Sequence, residues 1–477
     1  MKNLRNFYIN GRWVAPLKVN DLCVENPATE QPLATISMGS AADVNLAVAA
    51  AKSAFATYSQ FSVDQRIVLL EQLLQAYLDR YHEMAVAISM EMGSPITFAI
   101  EEQADRGSGH IAATLDALKQ YQFEQQIGST LIVKEPIGVC GLITPWNWPI
   151  NQIACKVVPA LAAGCSMLLK PSEIAPISAY LFSEIIDQVG FPDGVYNMLN
   201  GDGAGVGAAI SSHPDIQMLS FTGSTRAGIL VAKSAADSIK RVTQELGGKS
   251  PNIIFEDADL EPAVRGAVRN IMSNSGQSCN APSRLLVHAS VYDRAVQIAA
   301  HSAEQIMVDD PAKEGNHIGP LSSRMQFEKV QSLIQKGIDE GAELVVGGVG
   351  KPDGFETGYF CKPTIFAKVH NQMQIAREEI FGPVLAIIPF DTEQQAIEIA
   401  NDTDYGLAAY LSTSDMDRAQ RVAGKLRAGT VRINGAAQSY EVPFGGYKQS
   451  GNGREWGEFG LEDYLEIKAI SGLSSNS

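Results

Sequence analysis

The chain has 477 residues, 45% of them hydrophobic, enough to bury a substantial core and to divide into two or more domains. A net charge of −16 and a pI near 5.0 work against a nucleic-acid or anionic-membrane partner, which would attract basic patches and repel this average field. The opening Met-Lys-Asn-Leu-Arg-Asn-Phe-Tyr-Ile-Asn-Gly has no apolar run of the kind a signal peptide carries, and the longest uncharged run, Pro136 to Cys155, is broken by three prolines. A cytoplasmic protein without a membrane span is expected.

In chain order, Ala41 to Tyr58 is an alanine-rich helix, and Asp64 to Met92 carries Ile67, Leu70, Leu74, Leu78, Met84 and Ile88 at helical spacing until Gly93-Ser-Pro stops it. From Gly138 to Glu256 short apolar runs alternate with helices. Strands are expected at Val139–Ile143, Ser166–Lys170, Val195–Leu199, Met218–Thr222 and Lys240–Glu245. The helices between them are Asn151–Ala163, Ile177–Val189, Gly203–Ser211 and Gly223–Ser234. This βαβ rhythm predicts a doubly wound, mainly parallel sheet. A second α/β region runs from Asn252 to about Phe444, with strands at Leu285–His288, Glu343–Val346 and Val384–Pro389, and the final seven residues read as a frayed tail.

Six cysteines (Cys23, Cys140, Cys155, Cys165, Cys279 and Cys361) show no CxxC spacing, and no two histidines stand three or four residues apart, so neither a disulfide framework nor a metal site is expected. Cys279 differs from the others in its setting, Ser-Asn-Ser-Gly-Gln-Ser-Cys-Asn-Ala-Pro, a small polar turn rich in backbone amides after an apolar stretch. Glu245, beside a Leu-Gly-Gly turn, is a carboxylate that can swing to take a proton from water. Asn147, between the rings of Trp-Asn-Trp and two prolines, is a rigid amide donor for an oxyanion. Each also has an ordinary reading, as a buried small residue, a strand-end cap and a turn former.

Together these segments resemble the aldehyde dehydrogenase superfamily from about Phe7 to about Tyr464. The matching motifs are Pro145 to Pro149, Lys170-Pro-Ser-Glu173, Phe221-Thr-Gly-Ser224, Glu245-Leu-Gly-Gly-Lys-Ser-Pro251, Gly276-Gln-Ser-Cys279, Glu378-Glu-Ile-Phe-Gly-Pro383 and Pro443-Phe-Gly-Gly-Tyr-Lys-Gln-Ser-Gly451. The resemblance implies an α/β fold with a Rossmann-like cofactor domain (1–117 and 137–247), an α/β catalytic domain (248–447) and a small β-flap (118–136 and 460–477). The flap implies a homodimer or homotetramer.

The resemblance further implies a small-molecule aldehyde as substrate and NAD as cofactor, with NADP possible and less favoured. Cys279 would form a thiohemiacetal and then a thioester, Asn147 would hold the oxyanion, and Glu245 would activate the water that releases the acid. Gly223 and Ser224 would meet the pyrophosphate at a helix N-terminus. Lys170 and Glu173 would take the adenosine ribose, and Glu379 and Phe381 the nicotinamide riboside. Gly201-Asp-Gly-Ala-Gly-Val-Gly looks like a dinucleotide fingerprint, yet the pyrophosphate is not expected there. Trp148, Asn151, Cys155 and Ser273 stand where the family commonly has larger apolar side chains, and the loop Gly435 to Val442 reads as small and polar. Both fit a polar or semialdehyde substrate and equally a wide aromatic one. A cysteine-dependent esterase without redox chemistry, or a non-catalytic binding protein on the same fold, are the competing readings.

Overall fold

The computed structural model describes residues 2–472. Five parallel strands lie side by side in the order Arg241–Glu245, Met218–Thr222, Val139–Ile143, Ser166–Lys170 and Tyr196–Met198. Every residue of Val139–Ile143, Ser166–Lys170 and Met218–Thr222 is buried, because helices cover both faces of the sheet and leave no side for a polar alternation. The chain walks outward from Val139–Ile143 to Tyr196–Met198, then crosses back to place Met218–Thr222 on the other side of its starting strand. The reversal opens a crevice beyond the carboxyl ends of Val139–Ile143 and Met218–Thr222.

Both edges of this sheet are closed by antiparallel segments that carry no strong strand pattern. Phe7–Ile9 and Arg12–Val14 finish one edge; Gly451–Asn452 finishes the other by pairing with Gln244 and Glu245. A second, seven-stranded sheet has the order Glu343–Val346, Thr364–Ala367, Val384–Phe390, Arg284–His288, Pro251–Ile254, Ala408–Ser412, Thr430–Ile433 and is parallel except at its first strand. Leu465–Ser471, Thr130–Pro136 and Glu124–Ile127 form an antiparallel three-stranded flap, on which Ile127 and Ile467 are exposed. Asp21–Asn26, Gln31–Ser37 and Lys2–Leu4 make a fourth, small sheet. Among the described residues no helix is long and apolar enough to cross a membrane.

The helix Ala41–Tyr58 has the bounds its composition predicts and starts on a capping box between Ser40 and Asp43. The continuous helix expected from Asp64 to Met92 is two helices, Val63–Asp79 and Tyr81–Met92. They break at Arg80 (φ −112°, ψ 14°), whose guanidinium ties Glu83 and Glu184 at 2.9 Å each. A one-residue break without glycine or proline leaves the apolar period intact, so the pattern could not reveal it. The helix expected at Gly203–Ser211 is a π-helical turn, Gly203–Gly207, followed by Ala208–Ser212, and the Asp202 carboxylate accepts from the Gly205 amide. The strand ends at Ser471 include the first residue of the expected tail; residues 473–477 of it lie outside the described residues.

Candidate active site

Cys279 follows the helix Leu260–Met272 through Asn274 (φ 53°), Ser275 (φ 54°) and Gly276 (φ 75°), three consecutive residues in the left-handed region. Asparagine tolerates that conformation, but serine needs help, and the Ser275 hydroxyl donates to the Gly319 carbonyl at 2.8 Å. A Cβ on Gly276 would stand 2.0 Å from the Gly382 carbonyl oxygen, so this turn is pressed against the segment that carries Phe381. The Leu-Gly-Gly after Glu245 has a matching reason. A Cβ on Gly248 would lie 2.2 Å from the Cys279 carbonyl oxygen, and one on Gly247 would lie 2.6 Å from the Glu379 carboxylate. Two glycines thereby let three separate segments meet at one point.

Cys279 itself is half-buried. Burial pushes its thiol up, the carboxylates of Glu379 and Glu245 push it further, and the amides of Asn280 and Cys279 oppose them. The resting thiol is therefore protonated and needs a base. Asn147, 3% exposed, donates from Nδ2 to the Gln277 carbonyl at 3.0 Å, while its own carbonyl accepts from Asn274 Nδ2 at 2.8 Å and Gln103 Nε2 at 3.4 Å. One amide hydrogen is thus used to fix the side chain and the other remains for a ligand. Glu245 closes its strand 2% exposed, and neither carboxylate oxygen has a hydrogen-bond partner. Burial first, and the nearby Glu455 second, hold its carboxyl well above the usual range, against the charges of Lys156 and Arg454. Lys156 and Glu455 form a buried ion pair next to it.

A crevice of about 160 Å³ gathers six of the nine expected site residues in its wall: Asn147, Gly223, Ser224, Cys279, Glu379 and Phe381. Ser224 caps the helix Thr225–Ala235 by accepting from the Ala227 amide, and Thr222 Oγ1 in the same wall is buried without a partner. Glu379 accepts from the Gly248 amide at 2.9 Å. Phe381 sits at φ 61° with its carbonyl held by Gln326 Nε2 at 2.8 Å, and its half-exposed ring meets Trp146 edge-on at 5.5 Å. Lys170 ends the neighbouring strand, donating to the Pro171 carbonyl at 2.8 Å and to Glu173 at 3.3 Å. Glu245 is placed behind Cys279, outside the crevice wall.

The aldehyde dehydrogenase family model matches residues 13–470. A 3-succinoylsemialdehyde-pyridine dehydrogenase from a Pseudomonas species is 56% identical over all of both chains. The chain belongs to the aldehyde dehydrogenase family. An aldehyde dehydrogenase from Bartonella henselae has the same fold (TM-score 0.98, 50% identity, 99% of this chain and 100% of that one). So does a mutant of aldehyde dehydrogenase C from Pseudomonas syringae complexed with NAD+ and octanal (TM-score 0.98, 49% identity, 99% and 98%).

Several residues of this aldehyde dehydrogenase's site went unnoticed in the sequence. Asn274, Gln103 and Gln277 build the cradle of Asn147, and of these only Asn274, flanked by Ser and Gly in a turn, carried a local signal for left-handed backbone. Lys156 and Glu455 are 299 positions apart and gave none. On the other side of Cys279, Trp148 Nε1 donates to Ser278 Oγ at 2.8 Å, and Cys155 packs with Phe444, Trp456 and Leu407 against Cys279. The loop Gly435 to Val442, read as small and polar, contributes a wall: Tyr440 reaches the helix Ala104–Gln120, donates to Asp105 at 2.7 Å, and packs on His110 and the Arg106 guanidinium. Ser273 faces elsewhere, onto a cavity of about 580 Å³ that it shares with Phe98, Arg265 and Arg269.

Proposed function

We propose that the enzyme oxidises an aldehyde to the carboxylic acid with NAD, using Cys279 as nucleophile, Asn147 and the Cys279 amide as oxyanion donors, and Glu245 as base. One observation carries this reading: a single crevice joins Cys279 and Asn147 to a helix N-terminus, Glu379 and Phe381. The crevice fits a dinucleotide. It opens at the strand reversal, its wall is kept low by Gly223 and Gly247, and the unpartnered Thr222 hydroxyl asks for a ligand. Gly223 and Ser224 would hold the pyrophosphate, Lys170 and Glu173 the adenosine ribose, Glu379 and Phe381 the nicotinamide riboside. NAD supplies the hydride acceptor when bound. Glu173, an anion at the ribose, favours NAD over NADP.

Cys279 Sγ adds to the aldehyde carbon and gives up its proton, while the oxygen gathers negative charge between Asn147 Nδ2 and the Cys279 amide. Collapse of that oxyanion expels hydride and leaves a thioester on Cys279. Glu245, its carboxyl raised toward neutrality by burial, takes a proton from water, which displaces Cys279 and yields the acid. An esterase would have no use for the crevice beyond Cys279. All six cysteines are free thiols, which suits a cytoplasmic enzyme, and the exposed isoleucines of the flap suit pairing with another copy in a dimer or tetramer. Reading NADH formation across a panel of aldehydes, with NAD and then NADP, tests the proposal; a panel that gives no NADH refutes it.

A further inference from the structure

We propose that Asn151 is a specificity-determining hydrogen-bond donor, selecting aldehydes that carry a ketone two or three carbons from the reacting carbon. The inference rests on the reading of Cys279 as nucleophile and deepens it. Trp148, Asn151 and Cys155 fall within about 60° of one another around the helix Pro149–Ala163 and its N-cap, at 100° per residue. Two of the three are seated on the aldehyde side of the nucleophile, Trp148 through Ser278 and Cys155 through its packing on Cys279. Asn151 lies between them, so its short side chain addresses the same space.

The orientation of its carboxamide is fixed. His110 Nε2 stands 2.8 Å from Asn151 Oδ1, a contact that takes the Nε2–H tautomer and turns Nδ2 away. His110 is 2% exposed, and burial, the leading cause, lowers its imidazole to about 3, so it stays neutral and donates. Asn151 is 8% exposed, yet Nδ2 donates to no protein atom among the described residues. A nine-tenths-buried amide with free N–H groups wants an acceptor. The nearest cation, Arg106, is already paired with Glu102 at 2.8 Å, so an aldehyde bearing a carboxylate finds no free charge there and a neutral acceptor fits better. Its guanidinium lies between the Trp148 and Tyr440 rings, 5.6 and 5.4 Å from their centroids, a flat stack against which an aryl group beyond the ketone would rest.

The test compares kcat/KM for a γ-keto aryl butanal and for the matched aryl butanal whose ketone is a methylene. The wild type is expected to favour the keto aldehyde at least about tenfold, a ratio worth about 1.4 kcal/mol. Asn151→Leu should bring the ratio to within about threefold of unity, mainly by loss on the keto aldehyde. Asn151→Ala, which leaves space where leucine could crowd the helix, should do the same. A purely structural role would lower both substrates alike and keep the ratio, and that result, or a wild-type ratio near one, overturns the proposal. Oxidation of other aldehydes in the panel but of neither butanal would leave the dehydrogenase reading standing and remove this one; a silent panel would remove both.

Discussion

Replacing Glu245 by glutamine separates the two halves of the proposed reaction. The carboxylate is 2% exposed and its oxygens hold no hydrogen bond, so the isosteric amide removes a base without breaking a contact. It also removes an acid that burial and Glu455 already disfavour as an anion, so the melting temperature should hold or rise. A positioned general base contributes roughly 10²- to 10⁴-fold, about 2.7 to 5.5 kcal/mol at 1.36 kcal/mol per decade. Hydride transfer precedes the step that needs this base. Stopped-flow mixing should therefore show at most one rapid equivalent of NADH per active site and then a rate slower by that factor, with an acyl adduct on Cys279 by intact-mass spectrometry. The pH profile gives an independent reading. Only the carboxylate form is a base, and its carboxyl is raised, so wild-type turnover should fall as pH falls through a value above the ordinary carboxylate range. Lys156 lowers that carboxyl, so Lys156→Met should move the acidic limb to higher pH. Steady turnover of Glu245→Gln at the wild-type rate would refute the assignment.

Cys279→Ala should abolish NAD-dependent oxidation while NAD still quenches the protein's fluorescence; retention of more than about a tenth of kcat, a loss under ~1.4 kcal/mol, sinks the nucleophile. Glu173→Gln should narrow the NAD preference by raising kcat/KM with NADP, the wild-type gap being about ten- to hundredfold; both cofactors are compared at one ionic strength, and an unchanged ratio removes Glu173 from the ribose. Lys156→Met also leaves Glu455 buried without its partner, and should cost about 3 to 5 kcal/mol in denaturant unfolding, more than a double change with Glu455→Leu. Gly276→Ala forces a Cβ into the 2.0 Å gap to the Gly382 carbonyl at a left-handed backbone position, and should cut activity through both Cys279 and Phe381; wild-type kinetics in that variant would mean the turn adapts freely.

The parallel core was legible because its strands are buried on both faces and read as unbroken apolar runs, so Val139–Ile143, Ser166–Lys170 and Met218–Thr222 have the bounds their composition predicts. The edges were not. Phe7–Ile9 owes its pairing to a neighbour 190 positions away, with no local period to announce it, and Gly451–Asn452 is two residues long. The residues proposed for chemistry stood out through their motifs, and six of them meet in one crevice. What holds them stayed hidden, because a buried ion pair such as Lys156–Glu455 or an amide cradle such as Gln103 and Asn274 is made by tertiary proximity alone. Tyr440 was overlooked for the opposite reason: a loop's average polarity says nothing of one ring that leaves it.

The late return of the chain to the first sheet sets a condition on how the enzyme comes into being. Gly451–Asn452 seals the strand that ends in Glu245, Arg241 donates to the carbonyls of Asp463 and Leu465, and Leu465–Ser471 zips onto Thr130–Pro136. A growing polypeptide that has made everything up to residue 440 holds a nearly complete cofactor half with one raw edge and an unpaired flap strand, a state that invites association with other nascent chains. Activity should accordingly arrive late and abruptly, with the last thirty-odd residues, and a C-terminal truncation that touches no proposed catalytic group should be as silent as the loss of Cys279.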